Sequence, residues 1–358
     1  MKVVAALSGG VDSSAAAALA QQQGHEVIGV TLRLKHPDPD FSRAQLCAGK
    51  SDEEAVLSVT RQLGIEHHFL ESYPVFEEKV LRPAADAYCA GETPNPCCNC
   101  NREVKFAALF DFAAQIGAGK VITGHYAKIG HLNGAARLRR GDDPAKDQSY
   151  FLYRLTSEQL EKLWFPIGEL TKQEVRRIAG ELQLPTAQRR DSQDACFQVP
   201  GECFGETLRR LFSLPARTGE FRYRGKTVGH HKGIHAYTLG QRKGLNVALG
   251  VPGYVAAIDP VRGNITLETD QHKLLAKSFL VRDLEIASAL PETLEVQVRY
   301  RGRPVAASWS REGDRIRVFP QQPLRAVTPG QAAVFYSGDW LLGGGIIDRV
   351  EMLENDAD

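Results

Sequence analysis

Three of the chain's seven cysteines lie together in the segment TPNPCCNCN, residues 93–101. Cys97 and Cys100 form a C-x-x-C pair there, and Cys196 lies far downstream in the segment RRDSQDACF. A C-x-x-C pair suits a metal site, a redox couple or a nucleophilic thiol, because thiolates bind soft metals, exchange with disulfides and attack electrophiles. The cysteines therefore indicate sulfur chemistry, and their spacing alone leaves its form open.

A second segment that could do chemistry is LSGGVDSS, residues 7–14, between a predicted strand and a predicted helix. Gly9 and Gly10 let backbone N–H groups approach an anion, the helix N-terminus adds its positive dipole end, and the two serines supply hydroxyl groups. Asp12 would repel phosphate by itself, so we expect it to hold Mg2+. The loop matches neither the Walker A pattern nor G-x-G-x-x-G. It predicts a phosphate-binding loop of another class, with a plain glycine turn as the alternative.

The elements that position these residues alternate in the first half of the chain. Short apolar runs predict strands at 2–7, 26–32, 65–70 and 120–123, and apolar periodicity predicts helices at 12–23, from 51 onward, at 103–116 and after 171. Ser51 with Glu54, and Thr171 with Glu174, fit capping boxes that begin two of these helices. Strands that alternate with helices favour an α/β fold with a doubly wound parallel sheet.

The pattern changes after about residue 215, where the chain becomes rich in Gly, Arg and short alternating runs. Strands are predicted at 294–300, 305–310, 315–319, 332–336 and 341–350, and such closely spaced short strands are typical of a small β-barrel or sandwich. We therefore expect an α/β domain at 1–208, a small linking domain at 209–275 and a β-barrel domain at 276–358.

Composition sets broader limits on what the chain can be. Its 358 residues are 43% hydrophobic and 24% charged, with a net charge of +1, which fits an ordinary globular protein. The apolar start of the chain runs into the glycine loop, so we expect a strand rather than a signal peptide, and a cytoplasmic protein with reduced cysteines. Basic residues cluster at 137–140, 176–190, 222–243 and 299–317, as solvated surface charge or as contacts to a polyanion.

The loop SGGVDS resembles the pyrophosphatase loop of the N-type ATP pyrophosphatases. In those enzymes ATP adenylates a carbonyl oxygen and releases pyrophosphate, and a nitrogen or sulfur nucleophile then displaces the adenylate. The loop by itself does not choose between these nucleophiles.

Combined with the cysteine segments, the chain strongly resembles the bacterial tRNA-specific 2-thiouridylases, the MnmA/TrmU family. The resemblance implies an ATP pyrophosphatase domain, a small tRNA-binding linking domain and a C-terminal β-barrel. It also implies ATP-dependent 2-thiolation of the wobble uridine of tRNAs for Glu, Gln and Lys, with a sulfur-donating protein partner. We expect Mg2+ to accompany ATP, and the enzyme to be a monomer. The motifs that carry the resemblance are SGGVDSS, TPNP with CN, TGHYA, KDQSYFL, DSQDACF, TLGQRKGL, AVTPGQAAVFY and GDWLLGGGII.

The resemblance also implies roles for individual residues. Cys196 matches the family's persulfide carrier and Cys100 its catalytic nucleophile, and the two would form a disulfide that a reductant resets. The residues that match nucleotide-binding positions are Ala6, Leu7, Ser8, Gly9, Gly10, Val11, Asp12, Ser13, Leu32 and Gly124. Those that match tRNA-binding positions are Asn95, Pro96, Cys97, His125, Lys146, Asp147, Gln148 and Gln331.

Without the resemblance, two of these residues have ordinary alternatives. His125 follows a predicted strand and could be a packed core histidine, and Gln331 follows Pro-Gly and could be a turn residue.

One position departs from the family pattern, in which an Asp commonly stands three residues before the nucleophile. This chain has Cys97 there and so lacks the carboxylate to which the family pattern assigns a supporting role. Cys97, Cys100 and Cys196 could instead ligate a 4Fe–4S cluster with one open iron, as in several related tRNA thiolases. A zinc site would need a fourth ligand, for which Cys98, Cys203, His230 and His231 are weak candidates.

Two further alternatives belong to other functional classes. An ATP pyrophosphatase that forms an amide or guanidinium product would leave the cysteines unused, as would a non-catalytic tRNA-binding protein. Cys47, Cys89 and Cys203 are interpreted as ordinary small apolar residues.

Overall fold

The computed structural model describes residues 1–38, 41, 50–190 and 197–353, with the side chains of residues 50 and 51 outside the description. Cys47 and Cys196 lie outside these ranges, so what is predicted for them rests on the sequence. The chain forms two compact units. The first contains Met1–Val80, Cys97–Gly201 and Asp339–Leu341, and the second contains Leu81–Pro96, Glu202–Gly338 and Leu342–Asp358.

The helical elements of the described chain are mostly short. The α-helices are α1 Val11–Gln22, α2 Lys50–Leu63, α3 Tyr73–Phe76, α4 Arg82–Cys89, α5 Pro96–Asn99, α6 Ala107–Gln115, α7 Ser157–Glu161, α8 Lys172–Glu181 and α9 Phe204–Leu211. Two π-helical segments, Glu77–Leu81 and Cys100–Phe106, and three 3₁₀ turns, Ser149–Leu152, Ile234–Ala236 and Gln271–Leu274, complete the set.

The strands divide between a short early group and a longer late group. They are β1 Lys2–Ala6, β2 Glu26–Arg33, β3 His67–Glu71, β4 Lys120–Ile122, β5 Ala127–Leu132, β6 Ala135–Arg140, β7 Leu163–Trp164, β8 Gly219–Tyr223, β9 Lys226–His231, β10 Tyr254–Ile258, β11 Ile265–Glu268, β12 Leu275–Ile286, β13 Thr293–Gln297, β14 Val305–Glu312, β15 Arg315–Pro320, β16 Leu324–Arg325, β17 Ala332–Ser337 and β18 Trp340–Met352.

The first unit is built on a parallel sheet in the order β3-β2-β1-β4-β7. β1 lies at its centre and pairs with β2 from Lys2↔Glu26 to Ala6↔Val30. The four alanines at 15–18 are buried, and their small side chains let α1 lie close to the elements on either side. The prediction of an α/β fold with a parallel sheet is confirmed. Ala17 and Ala20 of α1 belong to a core cluster with Val3, Ala5 and Ile122 of the sheet. Ala15, Ala16 and Ala18 belong to a second cluster with Val175 and Ala179 of α8.

A hairpin of β5 and β6 in the first unit was not predicted. Its turn residues Asn133 and Gly134 have φ values of 52° and 75°, which suit a two-residue Asn-Gly turn between antiparallel strands. The dipeptide is the signal that would have found it. In the same unit, Trp340 pairs with Arg139 of β6.

The second unit contains a four-stranded sheet in the order β10-β11-β8-β9 and a β-barrel. The order β12-β15-β14-β13-β17-β18 closes into a barrel because β12 also pairs with β18. The predicted C-terminal β-barrel is thereby confirmed, while the boundaries at 208 and 275 remain predictions. Barrel core residues include Phe279, Val281, Val296, Ala307, Val318, Phe335 and Ile347, all fully buried.

Some element limits differ from those predicted. The strand predicted at 294–300 ends at Gln297, because the chain turns after it. The side-chain amide of Gln297 donates to the Arg299 carbonyl (3.1 Å), and Arg301 has a φ of 58°. The helix predicted at 103–116 begins earlier, as the π-helical segment from Cys100 that continues into α6. No helix in the described ranges is long and apolar enough to cross a membrane.

The predicted capping box of α8 is confirmed. The Thr171 hydroxyl accepts from the Glu174 N–H (3.3 Å), and the Glu174 carboxylate accepts from the Thr171 N–H (2.7 Å). The Thr171 N–H and the Thr171 hydroxyl, which both donate to the Glu174 carboxylate at 2.7 Å, hold the pKa of Glu174 below its usual value. The other predicted cap does not begin its helix, since α2 starts at Lys50, and the side chain of Ser51 lies outside the described residues.

Replacing Thr171 by alanine should destabilise the first unit by about 1 kcal/mol, because the first turn of α8 loses its side-chain acceptor. We expect the thermal midpoint to fall by about 2–4 °C, measured by calorimetry. Thr171→Ser keeps the hydroxyl and serves as the control. An unchanged midpoint in Thr171→Ala would show that the cap is not stabilising.

Candidate active site

The phosphate loop joins the end of β1 to α1. The Leu7 N–H donates to the Val30 carbonyl (2.8 Å), so the loop starts at the carboxyl edge of the sheet. Gly9 has φ +79°, and a Cβ there would lie 2.8 Å from the carbonyl oxygen of Asp52. Gly10 is the N-cap of α1 and provides no side-chain cap, so the first-turn N–H groups face the loop without an intrahelical acceptor. This is the arrangement that a phosphate-binding helix N-terminus requires.

The two serines that follow the loop are engaged with its backbone. The hydroxyls of Ser13 and Ser14 donate to the Gly10 carbonyl (3.1 and 2.9 Å), and the Ser8 N–H donates to the Ser13 hydroxyl (3.2 Å). The serines therefore shape the loop in this state, and a phosphate contact by them would require those hydroxyls to turn.

The Asp12 carboxylate has an ammonium partner that the sequence did not predict. Lys172, the first residue of α8, donates to both Asp12 oxygens (2.7 and 2.8 Å), and the Tyr126 hydroxyl donates to Oδ1 (2.8 Å). The Lys172 side chain is only 12% exposed. The capping box predicted the start of this helix, but nothing in the sequence joined Lys172 to Asp12, because their contact spans 160 residues.

These contacts define how Mg2+ could fit. Of about four lone-pair positions on a carboxylate, three on Asp12 already accept hydrogen bonds. Mg2+ commonly uses one or two carboxylates together with substrate phosphates and water, so one Asp12 oxygen suffices for an ion that arrives with ATP. The described residues contain no group of three or more His, Cys, Asp or Glu side chains that could hold a metal ion on their own.

Arg189 is a second cation at the phosphate loop. It donates to the Gly9 carbonyl (2.9 Å) and to the Asp52 carboxylate (2.6 Å). Arg176 supports it from α8 by donating to the Ala187 and Arg189 carbonyls (2.9 and 3.0 Å). Both arginines belong to the basic cluster at 176–190, which the sequence could not distinguish from surface charge.

The predicted nucleotide-binding residues meet at one edge of the sheet. Ala6 and Leu32 lie near the carboxyl ends of β1 and β2, and Gly124 follows β4. A Cβ on Gly124 would come within 2.6 Å of the Asp12 carbonyl carbon and the Ser13 nitrogen, so only glycine lets α1 approach this closely. Open parallel sheets bind ligands outside the carboxyl ends of their strands, so this edge is the expected nucleotide site.

His67 is a neutral histidine near that edge. The Thr31 hydroxyl donates to the Leu7 carbonyl (2.8 Å), so the hydrogen on His67 Nε2 must donate to the Thr31 oxygen (2.9 Å). Burial, together with the charges of His68 and Arg33, lowers the pKa of His67 to about 4. His67 thus holds the Thr31 hydroxyl in the orientation in which it donates to Leu7, between β1 and β2. The sequence did not predict His67 as a site residue.

His125 is also neutral. Its Nδ1 shares a hydrogen bond with the Thr123 hydroxyl (2.7 Å), and its ring contacts those of Phe106 and Phe165. Burial, with a smaller effect of the Lys105 charge, lowers its pKa to about 3. These contacts match the packed histidine considered as the alternative, and a role toward tRNA remains a prediction.

The cysteine segment is held by the turn at Ser149–Leu152 and the residues after it. Asn101 donates to the Phe151 carbonyl (3.1 Å), Arg154 donates to Asn99, and the Cys98 thiol lies 4.0 Å from the Tyr150 carbonyl. Cys97 is half-buried, and its two neighbouring cysteines in the segment are buried.

Burial keeps these thiols neutral. It raises the pKa of Cys97 and Cys98, and it raises that of Cys100 to about 11, with Lys105 acting in the opposite direction. Cys100 therefore rests as a protonated thiol, and a nucleophilic role requires its deprotonation when substrate binds.

The KDQ segment, predicted to contact tRNA, has a clear structural function. Asp147 accepts from the Gly141 and Ser149 N–H groups (3.1 Å each) and from Arg140 (3.1 Å). Gln148 accepts from the Tyr126 N–H (3.1 Å), and Lys146 is half-buried. Asp147 and Gln148 thus connect Tyr126 to the turn that holds the cysteine segment.

Three of the other residues predicted to meet tRNA lie in the second unit. Asn95 and Pro96 are half-buried directly before Cys97. The Gln331 amide donates to the Thr93 carbonyl (2.9 Å), a contact beyond the turn role considered as its alternative. Cys196 lies outside the described residues, so the predicted disulfide with Cys100 and the predicted cluster remain untested.

Comparison with known proteins covers nearly the whole chain. Residues 1–200 match the family model described as tRNA methyl transferase HUP domain, residues 213–268 the tRNA methyl transferase PRC-barrel domain, and residues 271–347 the aminomethyltransferase beta-barrel domain. The tRNA-specific 2-thiouridylases MnmA of Heliobacterium modesticaldum and Geobacter metallireducens are each 41% identical over 357 residues, covering 97% of this chain and 92% and 96% of theirs. The chain belongs to the tRNA-specific 2-thiouridylase family. The MnmA of Rickettsia massiliae is likewise 41% identical, over 354 residues and 96% of its length.

Membership in the 2-thiouridylase family confirms the resemblance drawn from the ordered motifs. The separation of the chain into an α/β HUP segment, a PRC-barrel segment and a β-barrel segment agrees with the predicted fold class.

Replacing Gly124 by alanine should weaken ATP binding at least about tenfold, or ~1.4 kcal/mol, because the added methyl group pushes against the backbone of α1. Isothermal titration calorimetry with ATP measures the change. Gly180→Ala is the matched control, since a Cβ at that exposed helical position meets no atom within 4 Å. Equal affinities for both variants would contradict the close approach at Gly124.

Replacing Lys172 by methionine should lower kcat/KM for ATP by about 10- to 100-fold, since charge-assisted hydrogen bonds contribute about 1.5–3 kcal/mol. The Asp12 carboxylate would then keep Tyr126 as its hydrogen-bond donor and repel the phosphates. Lys162→Met, which removes an exposed lysine paired with Glu158, is the control. Wild-type ATP kinetics in Lys172→Met would rule out a role for this ammonium group.

Proposed function

We propose that the chain catalyses ATP-dependent 2-thiolation of the wobble uridine of tRNA, as a tRNA-uridine 2-sulfurtransferase. The observation that carries the proposal is the 41% identity to tRNA-specific 2-thiouridylases over 97% of the chain. The family models are described with methyl transfer, but a phosphate loop in the same compact unit as the Cys100 thiol suits adenylation followed by sulfur transfer. The proposed substrates are the tRNAs for Glu, Gln and Lys.

The first step forms an activated uridine. The C2 oxygen of uridine attacks the α-phosphate of ATP, the bond to the β-phosphate breaks, and pyrophosphate leaves. The N-terminus of α1 attracts the phosphates as they separate, while Lys172 and Arg189 balance the Asp12 and Asp52 carboxylates that would otherwise repel them. Asp12 would hold Mg2+, which neutralises phosphate charge when bound.

The second step replaces oxygen by sulfur. A sulfur-donating protein leaves a terminal sulfur on Cys196 as a persulfide, whose anion attacks C2 and expels AMP. The Cys100 thiolate then attacks the Cys196 sulfur, the S–S bond to the uridine sulfur breaks, and 2-thiouridine leaves. The resulting Cys100–Cys196 disulfide is reduced by an external thiol before the next cycle.

Protonation of Cys100 favours this order of events. With the pKa of Cys100 raised to about 11, the thiol is inert until substrate changes its surroundings. Lys105 is the cation that already lowers that pKa, so it is our candidate for stabilising the thiolate.

A second mechanism for the same reaction rests on Cys97. Its thiol stands three residues before Cys100, where the family pattern has a carboxylate, and Cys97, Cys100 and Cys196 are the donors that a 4Fe–4S cluster with one open iron would use. Iron and acid-labile sulfide in anaerobically purified protein would favour this mechanism over the persulfide.

We place the reaction in the cytoplasm, where reduced thiols and a thiol reductant are available. The enzyme would act as a monomer, with tRNA and a sulfur-donating protein as partners.

Pyrophosphate release tests the function directly. We expect release from ATP to depend on tRNA that bears a uridine at the wobble position, with a transcript carrying cytidine there as the control. Release that needs an amine or amino acid would instead indicate an amide- or guanidinium-forming ligase. Binding of tRNA without any release would indicate a non-catalytic tRNA-binding protein.

Replacing Cys97 by aspartate separates the two mechanisms. If the persulfide operates, thiolation should stay within about tenfold of wild type, because Cys97 transfers no sulfur. Mass spectrometry of the nucleosides measures 2-thiouridine, with Cys98→Ala and Cys100→Ser as the active and inactive controls. Loss of thiolation together with loss of bound iron would contradict the persulfide mechanism.

A further inference from the structure

The residues at 92–94 come directly before the cysteine segment and are bound to β-barrel residues of the same compact unit. Arg282 donates from one nitrogen to both oxygens of Glu92 (3.1 and 2.9 Å). The Gln331 amide donates to the Thr93 carbonyl at 2.9 Å and lies 3.4 Å from that of Pro94. The Glu92 carboxylate and the carbonyls of Thr93 and Pro94 are thus each contacted by a side chain of the barrel.

The backbone of the barrel completes these contacts. The Thr93 N–H donates to the Pro329 carbonyl (2.9 Å). Gly330 has φ +90°, and a Cβ on it would lie 3.0 Å from the Thr93 backbone and from the Glu92 side chain. The Pro-Gly-Gln turn therefore needs its glycine both for its own conformation and for the close approach of residues 92–94.

Charges on the barrel fix the orientation of Arg282. Asp348 lies against its Nε (3.5 Å) and also pairs with Arg315. Arg282 thus contacts three carboxylates: Glu92, which is 23% exposed, Asp348, which is 17% exposed, and the more exposed Asp283 at 3.5 Å. Burial and the nearby charges of Asp348 and Asp283 raise the pKa of Glu92, and Arg282 acts in the opposite direction.

We propose that Arg282, acting with Gln331, is a positioning residue for Cys100. The proposal rests on the proposed function, in which Cys100 is the nucleophile. A short stretch of chain joins Pro94 to Cys100, so a shift at residues 92–94 passes along it to the reacting sulfur. Misplacement of a reacting group by about 1 Å can cost about 100-fold in rate, which makes such contacts relevant to the chemical step.

The test uses the full-length variants Arg282→Met and Glu92→Gln. Hydrogen exchange followed by mass spectrometry reports the protection of the peptide that spans residues 93–101, and thiolation assays give kcat and KM. The control is Arg209→Met, since Arg209 makes a bidentate pair of similar exposure with Glu206 in the same unit (2.9 and 2.8 Å).

We expect exchange at 93–101 to become about tenfold faster in both test variants and kcat to fall about tenfold, with KM for ATP unchanged. Arg282→Lys should recover part of both effects, because it restores the charge without the guanidinium geometry. Arg209→Met should change neither quantity.

Three results would overturn the proposal: wild-type exchange at 93–101 in both test variants, an equal effect of Arg209→Met, or a rise in KM for ATP at unchanged kcat. If Arg282→Met fails to fold, judged by its thermal midpoint, the isosteric Glu92→Gln decides alone. If the wild-type chain does not thiolate tRNA, the proposed function fails, whereas the exchange comparison still decides whether these contacts hold residues 93–101.

Discussion

The contact between the Lys172 ammonium and both oxygens of Asp12 joins the two helices on which the phosphate site depends. Asp12 lies in the first turn of α1 and Lys172 is the first residue of α8, so the ion pair brings two helix N-termini to one place. The negative charge of Asp12 would otherwise oppose phosphate binding. With Lys172 against it, the carboxylate is balanced, and the helix dipole and the loop N–H groups remain to attract the anion.

Tyr126 extends this arrangement toward the cysteines. Its hydroxyl donates to Asp12, and its backbone exchanges hydrogen bonds with Gln148. The turn that follows Gln148 supplies the carbonyl that accepts from Asn101, one residue after Cys100. A continuous set of contacts inside the first unit thus connects the phosphate loop with the segment that carries Cys100, the proposed catalytic thiol, as a reaction with successive adenylation and sulfur transfer requires.

The parts of the fold that the sequence predicted are those with local signals. β-branched runs such as Lys2–Ala6 and the Thr171 capping box carry their structure in adjacent residues. The phosphate loop was predictable for the same reason, since glycine, aspartate and serine act there within one turn. Lys172 and Arg189 were not predictable as site residues, because each reaches the loop from far along the chain and resembles any surface cation in sequence. His67 was missed likewise, as its effect depends on the register of β3 against β2.

Cys97 shows how the surroundings change the meaning of a substitution. An ionised carboxylate at this position would place a negative charge beside Cys100 and disfavour its thiolate. Burial instead raises the pKa of Cys97, so the residue is uncharged in the resting enzyme. Burial and, to a smaller extent, Cys97 raise the pKa of Cys100, while the Lys105 charge lowers it. A protonated thiol at position 97 therefore opposes the Cys100 thiolate less than an ionised carboxylate would, and Lys105 is the cation that favours that thiolate.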